Sequence, residues 1–298
     1  MSSSKTAEYV ALYRALETSE TAREPLFRDP FAELFLSPSL RRVLRLARVR
    51  PLRSSLLRYA DWRAPGARSS TIGRTRVIDD AVVRATNEGA KQVVLLGAGY
   101  DCRAHRLAEL RDARVFEVDR RETQAAKRAR VEGAAALGAR RDVRYVTVDF
   151  ARDDLAARLA AAGWDAGRPS IFVWEGVTGY LDEAAVESVL RFVGGTAPGT
   201  TLIFTYLHRG VIDGSVRFEG ADKLVRNVRR LGEPWTFGLV PGEVGSFVAR
   251  FGLRLEDDLG ADEYRERTLG TREPGLRGYA FYRLAIARVA DRGGPQVA

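Results

Sequence analysis

Three carboxylates stand at the ends of apolar runs: Asp119 closes VFEVD, Asp149 closes VRYVTVDF together with Phe150, and Glu175 sits in SIFVWEG. A further run, QVVLLGAG, ends on Gly97, Ala98 and Gly99. Glycines there permit a tight turn and let a ligand approach the main chain. Asp119 lies 20 residues beyond Gly99, the spacing at which an acid accepts hydrogen bonds from both hydroxyls of a ribose. Asp149 can accept from the exocyclic amine of adenine while Phe150 packs on the ring. The plain alternative for both aspartates is capping of the helix that follows. Glu175, flanked by Trp174 and Gly176 at the centre of a sheet, is costly unless a cation pairs with it. The ammonium of a methionine moiety would serve.

The loop separates two classes of nucleotide ligand. A dinucleotide fold uses G-x-G-x-x-G, whose third glycine permits close helix packing and whose helix N-terminus receives pyrophosphate. Here Cys102 holds the third position, and Asp101 stands where a pyrophosphate would approach. An acid there repels a diphosphate but not a phosphate-free sulfonium zwitterion. The pattern therefore favours S-adenosylmethionine over NAD, and an NAD-dependent oxidoreductase is the lesser reading.

These residues need a scaffold of alternating strands and helices, and the chain supplies one from Lys91 onward. Strands are expected at QVVLLGAG, VFEVD, VRYVTVDF, SIFVWEG and TLIFTYLH, with helices between them. Asp182 caps one helix and Gly194 and Gly195 end it. Two last strands, FGLRLEDDL and GYAFYRLAIARV, show no clear helix between them and suggest an antiparallel end to the sheet. Before Lys91 the chain reads as helical: one helix from near Thr6, a turn and short helix in PLFRDPFAELFL, and another through Ile78, Ala81, Val82 and Ala85. The expected fold is α/β, a Rossmann-like, doubly wound and mostly parallel seven-stranded sheet, with ligands beyond the carboxyl ends of its strands. A single domain over residues 1–298 is expected, with a helical N-terminal cap at 1–70, a core at 71–207 and 241–290, and a lid insertion at 208–240. MSSSK and RGGPQVA read as frayed ends.

Composition narrows the class further. The 298 residues are 45% hydrophobic and 29% charged, as in a soluble globular protein. No apolar run is long enough to span a membrane, and MSSSKTAEYV lacks the layout of a secretory signal, so a cytoplasmic protein is expected. Cys102 is the only cysteine, and His105 and His208 the only histidines, so no metal site is expected. The net charge of +9 raises the question of nucleic acid. Arginine is abundant throughout, however, and only one stretch stands out: RRVLRLARVRPLRSSLLR, with no acid between Glu33 and Asp61. Leu40, Val43, Leu44 and Ala47 share a helical face there, giving a basic amphipathic helix. It reads first as a solvated flank, then as a surface for an acidic ligand or a membrane. A nucleic-acid-binding protein using residues 41–58 is the non-enzymatic alternative; otherwise no nucleic acid and no membrane partner is expected, and the oligomeric state is open.

EPLFRDPFAELF, GRTRVIDDAV, KQVVLLGAGYDCRAHRL, VFEVD, VTVDF and WEGVTGYL, in that order over roughly residues 8 to 205, resemble the leucine carboxyl methyltransferase family, in particular its bacterial branch of inferred S-adenosylmethionine-dependent methyltransferases. The resemblance implies a class I methyltransferase fold. It also implies that Arg74 holds the methionine carboxylate, that the main chain at Gly97 contacts the methionine part, and that Glu175 lies beside the amino group. Asp119 matches the ribose ligand, Asp149 and Phe150 the adenine pair. Tyr180 lies on the turn after Glu175 and is placed to face the substrate. Tyr100 and His105 stand where an aliphatic residue and a tyrosine are more usual, which should alter packing and not cofactor choice.

The family name points to a small anionic acceptor methylated on a carboxylate oxygen. A carboxylate is ionised at neutral pH and needs no general base. Methylation of a phenol or alcohol would need one, and Tyr206 or His208, at the end of TLIFTYLH, are the candidates. No glycine-flanked serine elbow supports a hydrolase.

Overall fold

Apolar positions at helical spacing make the first third of the chain helical. In the computed structural model, which describes residues 5–230, 232–270 and 278–290, α1 is Lys5–Thr18, α2 Pro38–Ala47, α3 Arg50–Arg63 and α4 Ala67–Asn87. MSSS and RGGPQVA lie outside the described residues. Leu12, Leu16, Phe31, Phe35, Leu44 and Ala47 bury together as one cluster, and Tyr100 and Cys102 of the glycine loop join it. α4 starts at Ala67, well before the apolar signal at Ile78, because its first half buries polar side chains: Ser69, Ser70, Thr71, Arg74 and Thr75.

The strands are β1 Gln92–Leu96, β2 Arg114–Asp119, β3 Arg144–Thr147, β4 Ser170–Trp174, β5 Thr201–Leu207, β6 Leu253–Leu259 and β7 Tyr282–Val289. They form one sheet in the order β3-β2-β1-β4-β5-β7-β6. β1 to β5 pair in parallel, and β7 runs antiparallel between β5 and β6. β1, β4 and β5 are buried along their whole length, which explains their uninterrupted apolar sequence. The strand order reverses between β1 and β4, the place where such sheets take ligands beyond their carboxyl ends.

The connections are α5 Arg103–Arg106, α6 Arg121–Glu132, α7 Leu155–Ala161, α8 Glu183–Gly194, α9 Arg209–Asp213, α10 Ala221–Arg230, α11 Val244–Ala249 and α12 Ala261–Thr268. Asp182 caps α8 by accepting from the Ala185 amide. The expectation of no helix between the last two strands is corrected by α12, which packs on α4. Its sequence, ADEYRERT, has only Ala261 and Tyr264 buried, too few apolar positions to show a period. No described helix is long and apolar enough to cross a membrane.

The end of α8 lies against the turn into β6 so closely that a side chain does not fit. A Cβ on Gly194 would stand 1.7 Å from the Phe251 carbonyl oxygen. Gly194→Ala should therefore cost at least about 2 kcal/mol, read as a lower urea midpoint with unchanged slope.

Candidate functional site

After β1 the chain turns through Gly97 at φ 63° and Gly99 at φ 43°, conformations that favour glycine. The Ala98 amide donates to the Val118 carbonyl at 3.0 Å, drawing the loop over β2. A Cβ on Gly97 would lie 2.4 Å from Cγ2 of Val177, so the loop after β4 also demands glycine there. Asp119, at the end of β2, accepts from the Gly99 amide at 2.6 Å and the Arg120 amide at 2.7 Å. Burial pushes its carboxyl up against those two donors. Arg120, not Asp119, occupies the N-cap of α6, and Asp119 remains partly exposed at the carboxyl end of β2.

Glu175 follows β4, and it already has cations. Arg74 Nε lies 2.8 Å from its Oε1 and Arg103 Nη1 2.7 Å from its Oε2. Burial alone would push this carboxyl up; Arg103 and Arg74 outweigh it and hold it well below the ordinary carboxylate range. Arg103 is fully buried and also reaches Asp79 at 2.7 Å and Asp101 at 2.5 Å. The Arg74 guanidinium stacks on the Tyr282 ring, 4.6 Å from its centroid.

Arg103, Asp79 and Tyr282 were not singled out from sequence. The signal for Arg103 was available: a central acid requires a cation, and Arg103 stands four residues after Gly99. Asp101 acts differently from the simple repulsion expected of it. Its Oδ2 is neutralised by Arg103, while its Oδ1 accepts from the Arg103 amide at 2.8 Å. The carboxylate thus occupies an amide that a phosphate would use at this four-residue helix.

The remaining candidates lie along the same edge of the sheet. Asp149 is held in a turn, its Oδ1 accepting from Ala151 at 3.1 Å and its amide donating to Asp153 at 2.8 Å. Phe150 is half-buried, with its ring 6.3 Å from that of Trp174. Tyr180, Trp235, Leu207 and Tyr282 border a narrow cleft of about 20 Å³ next to Gly176. Burial raises the Tyr180 hydroxyl to about 12.

Tyr206 also borders this cleft, but its buried hydroxyl is bound on the β6–β7 side. It lies 2.8 Å and 2.9 Å from the Asp258 carboxylate oxygens and accepts from Arg283 at 2.9 Å. Burial and Asp258 push its pKa far above the ordinary tyrosine range. His208 caps α9, with Nδ1 accepting from the Gly210 amide at 3.0 Å. That bond assigns the ring proton to Nε2. Burial and Arg283 lower its pKa, which keeps the ring neutral.

The leucine carboxyl methyltransferase family model matches residues 7–194. A Frankia alni protein, named by inference as an S-adenosyl-L-methionine-dependent methyltransferase, is 38% identical over 216 residues, 72% of this chain and 71% of its own. A Streptomyces coelicolor protein of the same inferred description is 38% identical over 219 residues, 70% of each chain. A solved Thermobifida fusca protein, described by inference as a methyltransferase, shares the fold at a TM-score of 0.60 and 21% identity, covering 94% of both chains. A DUF574 family protein from Streptomyces avermitilis does so at 0.55 and 15%, covering 93% of this chain and 96% of its own.

Two outcomes follow from the ion pairs. Arg103→Met leaves Asp101 without its ion pair and Glu175 and Asp79 with one arginine each, Arg74 and Arg106, and should cost about 3–5 kcal/mol in chemical denaturation. Because the Glu175 carboxyl is depressed in the folded state, its contribution is complete above the unfolded value of about 4.3 and is lost as pH falls below it. Glu175→Gln should flatten the acid limb of a melting-temperature profile taken from neutral pH downward; an unchanged limb would place that linkage elsewhere.

Proposed function

The chain belongs to the leucine carboxyl methyltransferase family and is an S-adenosylmethionine-dependent methyltransferase, and on that premise we propose that it methylates a carboxylate oxygen of a small anionic acceptor. The observation carrying the choice of acceptor is that neither candidate base is free. The Tyr206 hydroxyl is bound to Asp258 and Arg283, and the His208 Nδ1 lone pair is spent on Gly210. A phenol or alcohol would keep its proton here, whereas a carboxylate has already lost its own.

The residues present fit the cofactor. Arg74 and Glu175 offer one guanidinium and one carboxylate 2.8 Å apart, charge-complementary to the two ends of a methionine moiety. We assign Arg74 to the carboxylate and Glu175 to the amino group, with Arg103 keeping Glu175 ionised and aimed once Arg74 turns to its new partner. The main chain at Gly97, Ala98 and Gly99 lies beside the methionine part. Asp119, whose oxygens each accept only one amide, keeps lone pairs for the ribose hydroxyls. Asp149 and Phe150 are assigned to adenine. When bound, S-adenosylmethionine supplies a methyl group activated by its sulfonium. The protein's part is to align the acceptor in line with it, and Tyr180, Trp235 and Tyr282 form that wall. Residues 208–240 and the N-terminal helices would enclose the acceptor and exclude water.

Asp119→Ala should weaken S-adenosylhomocysteine binding at least about tenfold by calorimetric titration, since charge-assisted hydrogen bonds are lost. Unchanged affinity in the folded variant would remove Asp119 from the site. For the acceptor, a library of acids screened with methyl-labelled cofactor should yield a product whose label mild alkali releases as methanol. Turnover should not fall with a pKa near that of histidine as pH is lowered, and His208→Ala should retain most of the rate. A base-stable label with a large His208→Ala defect would move the reaction to a hydroxyl acceptor.

A further inference from the structure

Among the described residues, eight large apolar side chains are exposed, and five of them fall between Leu46 and Trp62. Leu46, Val49 and Leu52 form the corner between α2 and α3, which pack together. Tyr59 and Trp62 stand on the last turns of α3, 60% and 75% exposed, with their rings 6.0 Å apart. Leu52 and Tyr59 are two turns apart and share a face. The inner side of the same helices meets the core through Leu44, Ala47, Leu56 and Leu57, so the fold does not need the outer apolar groups.

The same surface is strongly basic. Arg42, Arg45, Arg58 and Arg63 are exposed and have no hydrogen-bond or ion-pair partner among the described residues. Three acids of the adjoining segments are already taken: Glu33 by Arg48, Glu20 by Arg53 and Asp61 by Arg68. Arginine beside exposed tryptophan, tyrosine and leucine matches the boundary between lipid headgroups and acyl chains. A second copy of the chain fits poorly, because a self-complementary contact would set arginines against arginines.

We propose that the α2–α3 face docks peripherally on an anionic lipid bilayer, with its arginines on the headgroups and Trp62, Tyr59 and the Leu46–Leu52 corner in the boundary layer. α3 ends where Gly66 packs on Gly278 and Tyr279, and Tyr279 stacks on Phe281 at the inner end of β7. That contact joins the end of α3 to the segment that leads into β7 beside the cleft at Tyr282.

The test is co-sedimentation of the full chain with phosphatidylcholine vesicles, with and without phosphatidylglycerol. Binding should require the anionic lipid and fall steeply with salt. Arg42→Glu with Arg45→Glu should weaken partitioning at least about tenfold, with circular dichroism and S-adenosylhomocysteine affinity unchanged. In a Trp235→Phe background, tryptophan emission should shift to the blue on vesicles and lose that shift on Trp62→Phe, since Trp164 and Trp174 are buried. Equal binding to neutral vesicles, no binding to anionic ones, or charge-reversed variants that bind as the parent would overturn the proposal. So would a concentration-dependent dimer abolished by Trp62→Ser, or tight nucleic-acid binding lost in the double variant. None of these outcomes touches the methyl-transfer reading, which the cofactor titration tests separately.

Discussion

One continuous run of buried ion pairs fixes the site. It passes from Arg14 to Asp29, through Arg106 to Asp79, then through Arg103 to Glu175 and on to Arg74, with Asp101 attached at Arg103. Four guanidiniums, of Arg14, Arg74, Arg103 and Arg106, meet four carboxylates, of Asp29, Asp79, Asp101 and Glu175, so the formal charges cancel. Removing eight ionic groups from water is expensive, and an apolar core of equal volume would be at least as stable. What the network supplies is position. It ties α1, the segment before α2, α4, the glycine loop and the end of β4 to one another, and a shift of any of them would leave a charge unmatched in a low-dielectric interior.

That arrangement also explains how an acid can sit at the end of β4 before any ligand arrives. Glu175 is held by two cations on separate elements, Arg74 on α4 and Arg103 on α5. They differ in what else they do. Arg103 is saturated by three carboxylates and fully buried, whereas Arg74 has one carboxylate and the face of Tyr282. Arg74 therefore has fewer charged partners to give up. On the cofactor assignment proposed above, Arg103 is the fixed cation that keeps the carboxylate charged and Arg74 the one that meets a second anion. A zwitterion inserted between Arg74 and Glu175 replaces one ion pair by two, leaving no buried charge alone.

Much of this was legible in the sequence, for reasons that differ by element. β1, β4 and β5 are buried on both faces, so their apolar runs name them directly, and the acids that end the strands mark the carboxyl edge of the sheet. Asp182 was readable because capping is local chemistry, confirmed by its bond to the Ala185 amide. The first half of α4 was not readable as a buried helix. Its buried groups are serines, threonines and arginines whose partners lie on other elements: Ser70 accepts from the Tyr279 amide, 209 residues away, and Arg74 reaches Glu175, 101 away. The cation for Glu175 was sought in a ligand when Arg103 already supplied one, because an ion pair between distant segments leaves no periodic trace. α12 escaped for the opposite reason, its two buried positions being too few to form a stripe.

The two unusual residues of the glycine loop show how the N-terminal helices are attached. Tyr100 stacks on Phe35 with ring centroids 4.3 Å apart, and His105 lies 5.5 Å from Phe31. Burial and the nearby Lys127 lower the His105 pKa to about 4, so it packs as a neutral ring. Cys102 is buried in the same cluster, and Arg14 of α1 donates to the Tyr100 carbonyl at 2.7 Å. The helical segment is thus built onto the loop through aromatic packing and ion pairs, and it cannot swing away without unmaking the loop. Residues 208–240 are joined otherwise. Leu239 bonds to Leu207 and Arg209, and Thr236 bonds to Gly179 and Leu181, so the end of this segment is anchored to β5 and to the turn after β4. Between those anchors, most of α10 is exposed. The segment is thus held by main-chain bonds and by apolar packing of Phe218, Ala221 and Leu224 with Leu207 and Phe281, so that the enclosing role proposed for it lies on the side of Tyr180 and Trp235.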